Sequence, residues 1–383
     1  MKPLSYSGSF VKILIVDLSK GFGGASTRVL SLLRYLPEGQ VGFVGLKNSP
    51  VSLAAKKLSI PVHCISSSKA SPMILWRLVK IIRQGGYQVV DTHNIQSKLW
   101  GSMAAMITGK ALVSTLHSWY ASEHKSNSWR GMFYSYLEKF TNLRLSLYIT
   151  VAKTIKEVLL ELGFQSYRVE LIYNAVSIDS AAIPEYDKEL QKQFGITDNS
   201  VIFTAVGRLV PVKGYSELIR AFREAVFQYP DAYCLIAGDG ELREELNEII
   251  QENELQNNVY LLGFCDHATV LSIIKSSDVF VMPSKSEGTP IALLEAAALG
   301  KAIIASDVGG IPELVTNEEH ALLLPSGNHE ALIQALIKFA NDQNLRDEYG
   351  KRAQQRVQEK FALDTMINST YGAYKKAWKL HQT

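Results

Sequence analysis

The chain has 383 residues, 47% of them apolar, with a formal net charge of +3, which is enough for a large buried core and longer than one core usually fills, so two domains are expected. Its three cysteines, Cys64, Cys234 and Cys265, are widely separated and lack paired spacing, which argues against a zinc site or disulfide framework and fits a reducing cytosol. No apolar run reaches the roughly 18 residues that span a bilayer, and Ile13 to Val16 stops at Asp17 without a cleavage-site pattern, so a soluble, uncleaved chain is expected.

Lys12 to Asp17 reads as a strand, Ser19 to Gly24 as a glycine-rich loop, and Val29, Leu30, Leu32, Leu33 and Leu36 as the start of a helix. A nicotinamide site does not fit, because Gly21-x-Gly23 is followed by Gly24 and Ser26 where a third glycine belongs, and no acidic residue closes the strand at Val41 to Leu46. Gly23 and Gly24 still suit a close backbone approach to a ligand; an ordinary strand-to-helix turn is the plainer alternative. Strands follow at Val62 to Ser66, Gln88 to Thr92 and Ala111 to Leu116, separated by helical patterns at Met73 to Arg83 and Lys98 to Ile107. Such alternation implies a parallel sheet, and His93 and His117 end two of its strands, where such sheets place ligands.

Residues 1–180 carry 21 Lys and Arg against 9 Asp and Glu, a charge of +12, leaving 19 against 28, or −9, in the remainder. The basic half suits an anionic partner such as an acidic membrane surface or a phosphate-bearing acceptor, unless the two halves simply attract one another. Trp119, Tyr120, Trp129, Arg130, Phe133, Tyr134, Tyr136, Lys139, Phe140 and Arg144 interleave aromatic and basic types as a bilayer interface would, and Trp76, Arg77, Lys80 and Arg83 add to that pattern. A core-facing helix with a basic outer side explains them equally well. No nucleic-acid partner is expected.

Leu145 to Val151 and Val169 to Ile172 read as further strands, and residues 180–199 as a polar linker with a short helix. A second alternation begins with the strand Val201 to Val206, which runs into Gly207-Arg208-Leu209-Val210-Pro211-Val212-Lys213-Gly214 and a helix from Tyr215 to Phe227. Two cations at fixed spacing after a buried strand suit a departing diphosphate, Arg208 as a fork and Lys213 as a point charge. Tyr233 to Ala237 meets Gly238-Asp239-Gly240, a helix covers Glu241 to Ile250, and Val259 to Leu262 meets Gly263-Phe264. Asp239 has no second carboxylate at metal-ligand spacing, so no metal is expected.

Val279 to Ser284 reads as a strand and Ile291 to Leu299 as a helix ended by Gly300. Thr289 suits its N-cap and Pro290 its first position. The free N–H groups there, with Gly288, make an anion site for a diphosphate. Glu287 in the loop and Glu295 on the helix lie eight residues apart, too far for one helical face, yet loop and helix can converge on a polyol. Glu295 sits among Leu293, Leu294, Ala296, Ala297 and Ala298, where an unpaired carboxylate would cost several kcal/mol, so a ligand hydroxyl is a plausible partner; a solvated glutamate is the bland alternative. A strand at Ala302 to Ala305, the Gly309-Gly310 loop, a strand at Ala321 to Leu324, helices from about His329 and Leu345, and an amphipathic pattern at Phe361 to Leu380 complete the chain.

Glu287 to Ala296, Gly309 to Glu313, Gly207 to Gly214 and Thr115 to His117 together resemble the retaining family-four glycosyltransferases of GT-B fold, over nearly the whole chain. The resemblance implies an α/β fold of two Rossmann-like doubly wound domains facing across a cleft: an acceptor domain at 1–180, a nucleotide-sugar domain at 181–362, and a helix at 363–383 crossing back, with a hinge at Asn174-Ala175-Val176. It implies transfer of a hexose-type sugar, a UDP-sugar favoured over a GDP-sugar, to a hydroxyl of a glycan or lipid-linked acceptor, in the cytoplasm or at the inner membrane face. Arg208 and Lys213 would hold the diphosphate, Glu295 the ribose, Glu287 the sugar, and His117 the opposite wall. Gly207, Gly238 and Gly263 would lie near the nucleotide. Ser26 or Thr27 stands where the family's glycine loop carries glutamate, a departure that bears on the loop's acceptor contacts. A nucleotide-sugar epimerase and a catalytically silent nucleotide-sugar binder are the rivals; a phosphorylase would need a phosphate or cofactor-lysine site that the sequence lacks.

Overall fold

The structure, a computed structural model, describes residues 10–66, 68, 71–117, 145–184, 186 and 194–383. The aromatic and basic run at 119–144 and most of the linker at 185–193 lie outside the described residues. The chain forms two compact units, residues 1–174 with 364–383 and residues 175–363.

The first unit is a seven-stranded sheet, β1 (Ile13–Asp17), β2 (Val41–Leu46), β3 (Val62–Ser66), β4 (Val89–Thr92), β5 (Ala111–Leu116), β6 (Leu145–Thr150) and β7 (Val169–Leu171), in the order β3-β2-β1-β4-β5-β6-β7. Every pairing is parallel. Its helices are α1 (Gly24–Tyr35), α2 (Pro50–Ala55), α3 (Met73–Gly85), α4 (Ile95–Thr108) and α5 (Lys153–Glu161). Parallel strands need covered faces, and the apolar runs Ile13 to Val16 and Ala111 to Val113 are accordingly fully buried. On α3, Ile74, Leu78 and Ile82 face the core while Met73 and Trp76 stand 53% and 61% exposed. Lys80 lies 5.5 Å over the Trp76 ring. Arg77 turns back to donate to the Ile65 carbonyl.

The second unit repeats the plan with β8 (Val201–Val206), β9 (Ala232–Ala237), β10 (Val259–Gly263), β11 (Val279–Met282), β12 (Ala302–Ser306) and β13 (Leu322–Leu324), ordered β10-β9-β8-β11-β12-β13. All of these pairings too are parallel. Helices α6 (Tyr215–Gln228), α7 (Arg243–Glu252), α8 (His267–Lys275), α9 (Ile291–Ala298), α10 (Ile311–Leu314), α11 (His329–Asn341) and α12 (Gln343–Lys360) surround it. The last helix, α13 (Leu363–Gln382), belongs almost wholly to the first unit. There Thr370 accepts from the fully buried Arg28 guanidinium (Nη2 to Oγ1, 3.2 Å), whose Nη1 donates to the carbonyls of Ile172 and Tyr173 and to Asn174 Oδ1, each at 3.1 Å. Burial draws the Arg28 pKa down to about 10, against the raising influence of Tyr374 and Asp91. Among the described residues no helix is long and apolar enough to cross a membrane.

Candidate functional site

In each sheet the strand order reverses once, between β1 and β4 and between β8 and β11, and the carboxyl ends of strands at such a reversal form the crevice that doubly wound sheets use for ligands. In the second unit β8 leads into Gly207, Arg208 and a short turn at Pro211–Lys213, while β11 leads into Pro283 to Pro290. Lys213 Nζ donates to Glu287 Oε1 at 2.5 Å, joining residues 74 apart in the chain. Ser284 Oγ donates to the same oxygen at 2.7 Å. Both members of the ion pair are largely withdrawn from water, at 19% and 11% exposure. The Tyr215 hydroxyl sits beside them and stays protonated, because burial first, then Glu287 and Cys234, push its pKa up. Arg208 is exposed, and among the described residues it makes no ion pair. The second unit therefore presents an exposed guanidinium on the turn after β8 and, five residues on, an ammonium held by a carboxylate.

Gly309 and Gly310 brace this loop. Gly310 N–H donates to the carbonyls of Glu287 and Gly288, at 3.3 and 3.0 Å. Gly309 has φ +55, and a β-carbon there would lie 1.8 Å from the Glu287 carbonyl oxygen, so only glycine fits. Gly288 is half-buried and Thr289 and Pro290 are buried. The helix opens one residue later than the sequence suggests: Pro290 has ψ 118 and is the cap, and Ile291 is the first helical residue. Thr289 is therefore outside the helix, at the residue before the cap.

Glu295, only 4% exposed on α9, already has a protein partner. His267 Nε2 donates to its Oε1 at 2.7 Å. The desolvation cost that favours a ligand hydroxyl is met by this imidazole instead, and a ribose hydroxyl would share the carboxylate with it. The sequence gives little sign of His267, because Phe264-Cys265-Asp266-His267 lacks periodicity; the trace it does carry is Asp266, whose carboxylate caps α8 through Thr269 N–H at 2.8 Å. Gly207, Gly238 and Gly263 meet at the carboxyl ends of β8, β9 and β10. Gly238 N–H donates to the Gly263 carbonyl at 2.9 Å, and a β-carbon on Gly238 would come within 1.8 Å of the Gly207 carbonyl oxygen. Here the glycines serve the packing of three strand ends on one another. No three His, Cys, Asp or Glu residues cluster as a metal-ligand set among the described residues.

The first unit places Gly23 and Gly24 after β1 and His93 after β4, on either side of the strand-order reversal. A side chain at Gly23 would meet no protein atom within 4 Å, so the fold itself does not demand glycine there. Ser26 turns its hydroxyl onto its own loop and accepts from Gly23 N–H at 3.3 Å. His117, after β5, brings its Nε2 to 3.0 Å from His93 Nδ1. His93 Nε2 in turn lies 3.0 Å from Asp91 Oδ2. Asp91 also accepts from Thr115 Oγ1 at 3.0 Å and from Tyr374 Oη at 2.6 Å. Burial, then His93 and Arg28, hold the His117 pKa well below the usual histidine value. Asp91 and Tyr374 are absent from the sequence motifs; the available trace is an acidic residue inside the apolar strand Val89-Val90-Asp91-Thr92.

Two family models match the chain: Glycosyltransferase Family 4 over residues 22–180 and Glycosyl transferases group 1 over residues 187–356. Among curated proteins, the Escherichia coli UDP-Gal:alpha-D-GlcNAc-diphosphoundecaprenol alpha-1,3-galactosyltransferase is 29% identical over 351 residues, covering 88% of this chain and 90% of that protein. The phosphatidyl-myo-inositol mannosyltransferase of Mycolicibacterium smegmatis is 27% identical over 351 residues, with coverage of 88% and 86%. Among solved structures, Anabaena HepE in complex with UDP-glucose superposes with a TM-score of 0.82 at 21% identity, covering 94% of this chain and 97% of that one. The sucrose-phosphate synthase of Thermosynechococcus elongatus gives 0.76 at 20% identity, with coverage of 95% and 98%.

Proposed function

The chain belongs to the family-four, group 1 glycosyltransferases, which use nucleotide sugars, and has their GT-B fold, and from that premise we propose that it moves a hexose from UDP-hexose to a hydroxyl of a lipid-linked or glycan acceptor with retention of anomeric configuration. The observation that carries the proposal is the Lys213–Glu287 pair, 2.5 Å apart at the strand-order reversal of the second unit and adjacent in sequence to the exposed Arg208 turn. UDP is favoured over GDP by the UDP-Gal named for the E. coli relative and the UDP-glucose bound to Anabaena HepE.

In this reading Arg208 and Lys213 meet the charge that gathers on the leaving diphosphate, with the N–H groups of Gly288 and Ile291 adding to them and no metal required. Glu287, displaced from Lys213 when the diphosphate arrives, accepts hydrogen bonds from the sugar hydroxyls. Glu295, with His267, holds the ribose. His117 contacts the sugar, and the loop at Gly23 and Gly24 meets the acceptor. The acceptor oxygen attacks on the face from which the nucleotide departs: its bond to the anomeric carbon forms as the carbon–phosphate-oxygen bond breaks, and its proton passes to that phosphate oxygen.

A lipid-linked acceptor accords with the acceptor named for the E. coli relative and with the exposed Met73 and Trp76 beside Lys80 on α3, which suit an anionic membrane surface at the inner face. Such an enzyme serves cell-surface polysaccharide or glycolipid synthesis. The test is a panel of UDP- and GDP-hexoses incubated with and without polyprenyl-diphosphate-sugar acceptors, the product anomer read by NMR and the reaction repeated in EDTA. Transfer from a UDP-hexose with retention, unchanged by EDTA, is expected. An inverted product or dependence on GDP-mannose would overturn the donor or stereochemical assignment, and donor epimerisation without acceptor would overturn transfer itself.

A further inference from the structure

The hydrogen-bond chain behind His117 fixes where its proton sits. As a carboxylate Asp91 can only accept, and it is fully buried. Its three neighbours must therefore all donate: the Thr115 hydroxyl at 3.0 Å, the Tyr374 hydroxyl at 2.6 Å, and His93 through Nε2 at 3.0 Å. A neutral His93 with its proton on Nε2 has only a lone pair on Nδ1. That lone pair lies 3.0 Å from His117 Nε2, so His117 must carry its proton on Nε2 as well. The ring centroids are 5.3 Å apart and tilted by 31°. His117 Nδ1 is then a bare acceptor; the atom is shielded from water and has no hydrogen-bond partner among the described residues. A buried acceptor left open in this way favours a ligand that brings a hydroxyl hydrogen to it.

We propose that Asp91 and His93 are positioning residues that lock His117 in its Nε2–H tautomer, so that His117 Nδ1 accepts a hydrogen bond from a hydroxyl of the carbohydrate substrate and does not act as a proton donor. This rests on the reading that His117 contacts the sugar. Were His93 a cation, both of its nitrogens would donate and His117 would be forced into the opposite tautomer, with Nδ1–H facing the substrate.

The two arrangements are separable by nitrogen NMR of histidine-labelled full-length protein at neutral pH, which reads the protonated nitrogen of each ring. Nε2–H on both His93 and His117 is expected. Asp91→Asn, which can donate to His93 Nε2, is expected to move the His117 proton toward Nδ1 and to lower kcat/KM on the order of 10- to 100-fold, with UDP affinity unchanged. Nδ1–H on His117 in the unaltered protein would overturn the proposal, as would an Asp91→Asn variant with unchanged tautomers; the first measurement decides even if the variant does not fold. Full transfer activity in His117→Ala would instead remove the sugar contact itself, whatever the tautomers.

Discussion

Lys213 is tied to Glu287, so on the proposed reading an incoming diphosphate has to exchange one anion for another rather than fill an empty cation site. Lys213→Ala then has two effects: it removes a charge-stabilising donor and leaves Glu287, 11% exposed, with only the Ser284 hydroxyl among these partners. Turnover should fall by about 100- to 1000-fold, measured as kcat at saturating donor; an unchanged kcat would exclude Lys213 from the diphosphate site. The sequence makes both residues visible because each lies in a short motif of fixed spacing, but their contact is a property of the two strand ends. His267 and Asp91 were less visible for a related reason. His267 pairs with Glu295, 28 residues on, and Asp91, besides its near neighbour His93, accepts from Tyr374, 283 residues on; nothing local betrays the distant pairings. His117 also has a consequence for stability. Its folded pKa lies below its unfolded one, so as pH falls through about 6.5 the unfolded chain takes up the proton first and the native state loses stability; His63 and His320, lowered chiefly by burial, act in the same sense. Denaturant midpoints between neutral pH and about pH 5 should fall less steeply for His117→Asn than for the unaltered protein, and equal slopes would refute the depressed histidine.

At the scale of elements, strands were read most faithfully, because in a parallel sheet they are short continuous apolar runs with no competing period. Ala111–Leu116 and Val201–Val206 have the same limits in sequence and structure. Three helices, α2, α8 and α10, have no counterpart in the sequence reading. All are short, and α8 keeps only Ser272, Ile273 and Ile274 buried, so no long apolar stripe marks it. The start of α9 moved by a residue because Pro290 takes an extended ψ, which makes it the cap rather than the first turn. The element most dependent on another is the loop before α9, which leans on Gly309. Gly309→Ala places a methyl against the Glu287 carbonyl and strains a positive φ, and should cost at least about 1 kcal/mol in denaturant unfolding together with a disproportionate loss of kcat. Normal turnover in that variant would show that Glu287 does not need its brace.

The molecule as a whole is two sheets of like construction, but the first is built from both ends of the chain. Tyr374 on α13 donates to Asp91 at 2.6 Å, the Tyr371 hydroxyl accepts from Val11 N–H at 3.3 Å, and Lys376 pairs with Glu170 at 2.5 Å. Tyr374→Phe should destabilise the protein by about 1–3 kcal/mol, the cost of a buried acceptor losing a donor, as read by denaturant unfolding; an unshifted midpoint would mean that Thr115 and His93 satisfy Asp91 alone. This stitching also sets an order of events during synthesis. Residues 175–363 are translated between the two portions of the first unit, so β1 to β7 emerge from the ribosome early and wait, with Arg28 and Asp91 lacking their α13 partners, while an entire second sheet is made and free to collapse. The lobe begun first is completed last, and a nascent chain stalled before residue 364 would expose that unfinished interior to the cell's chaperones.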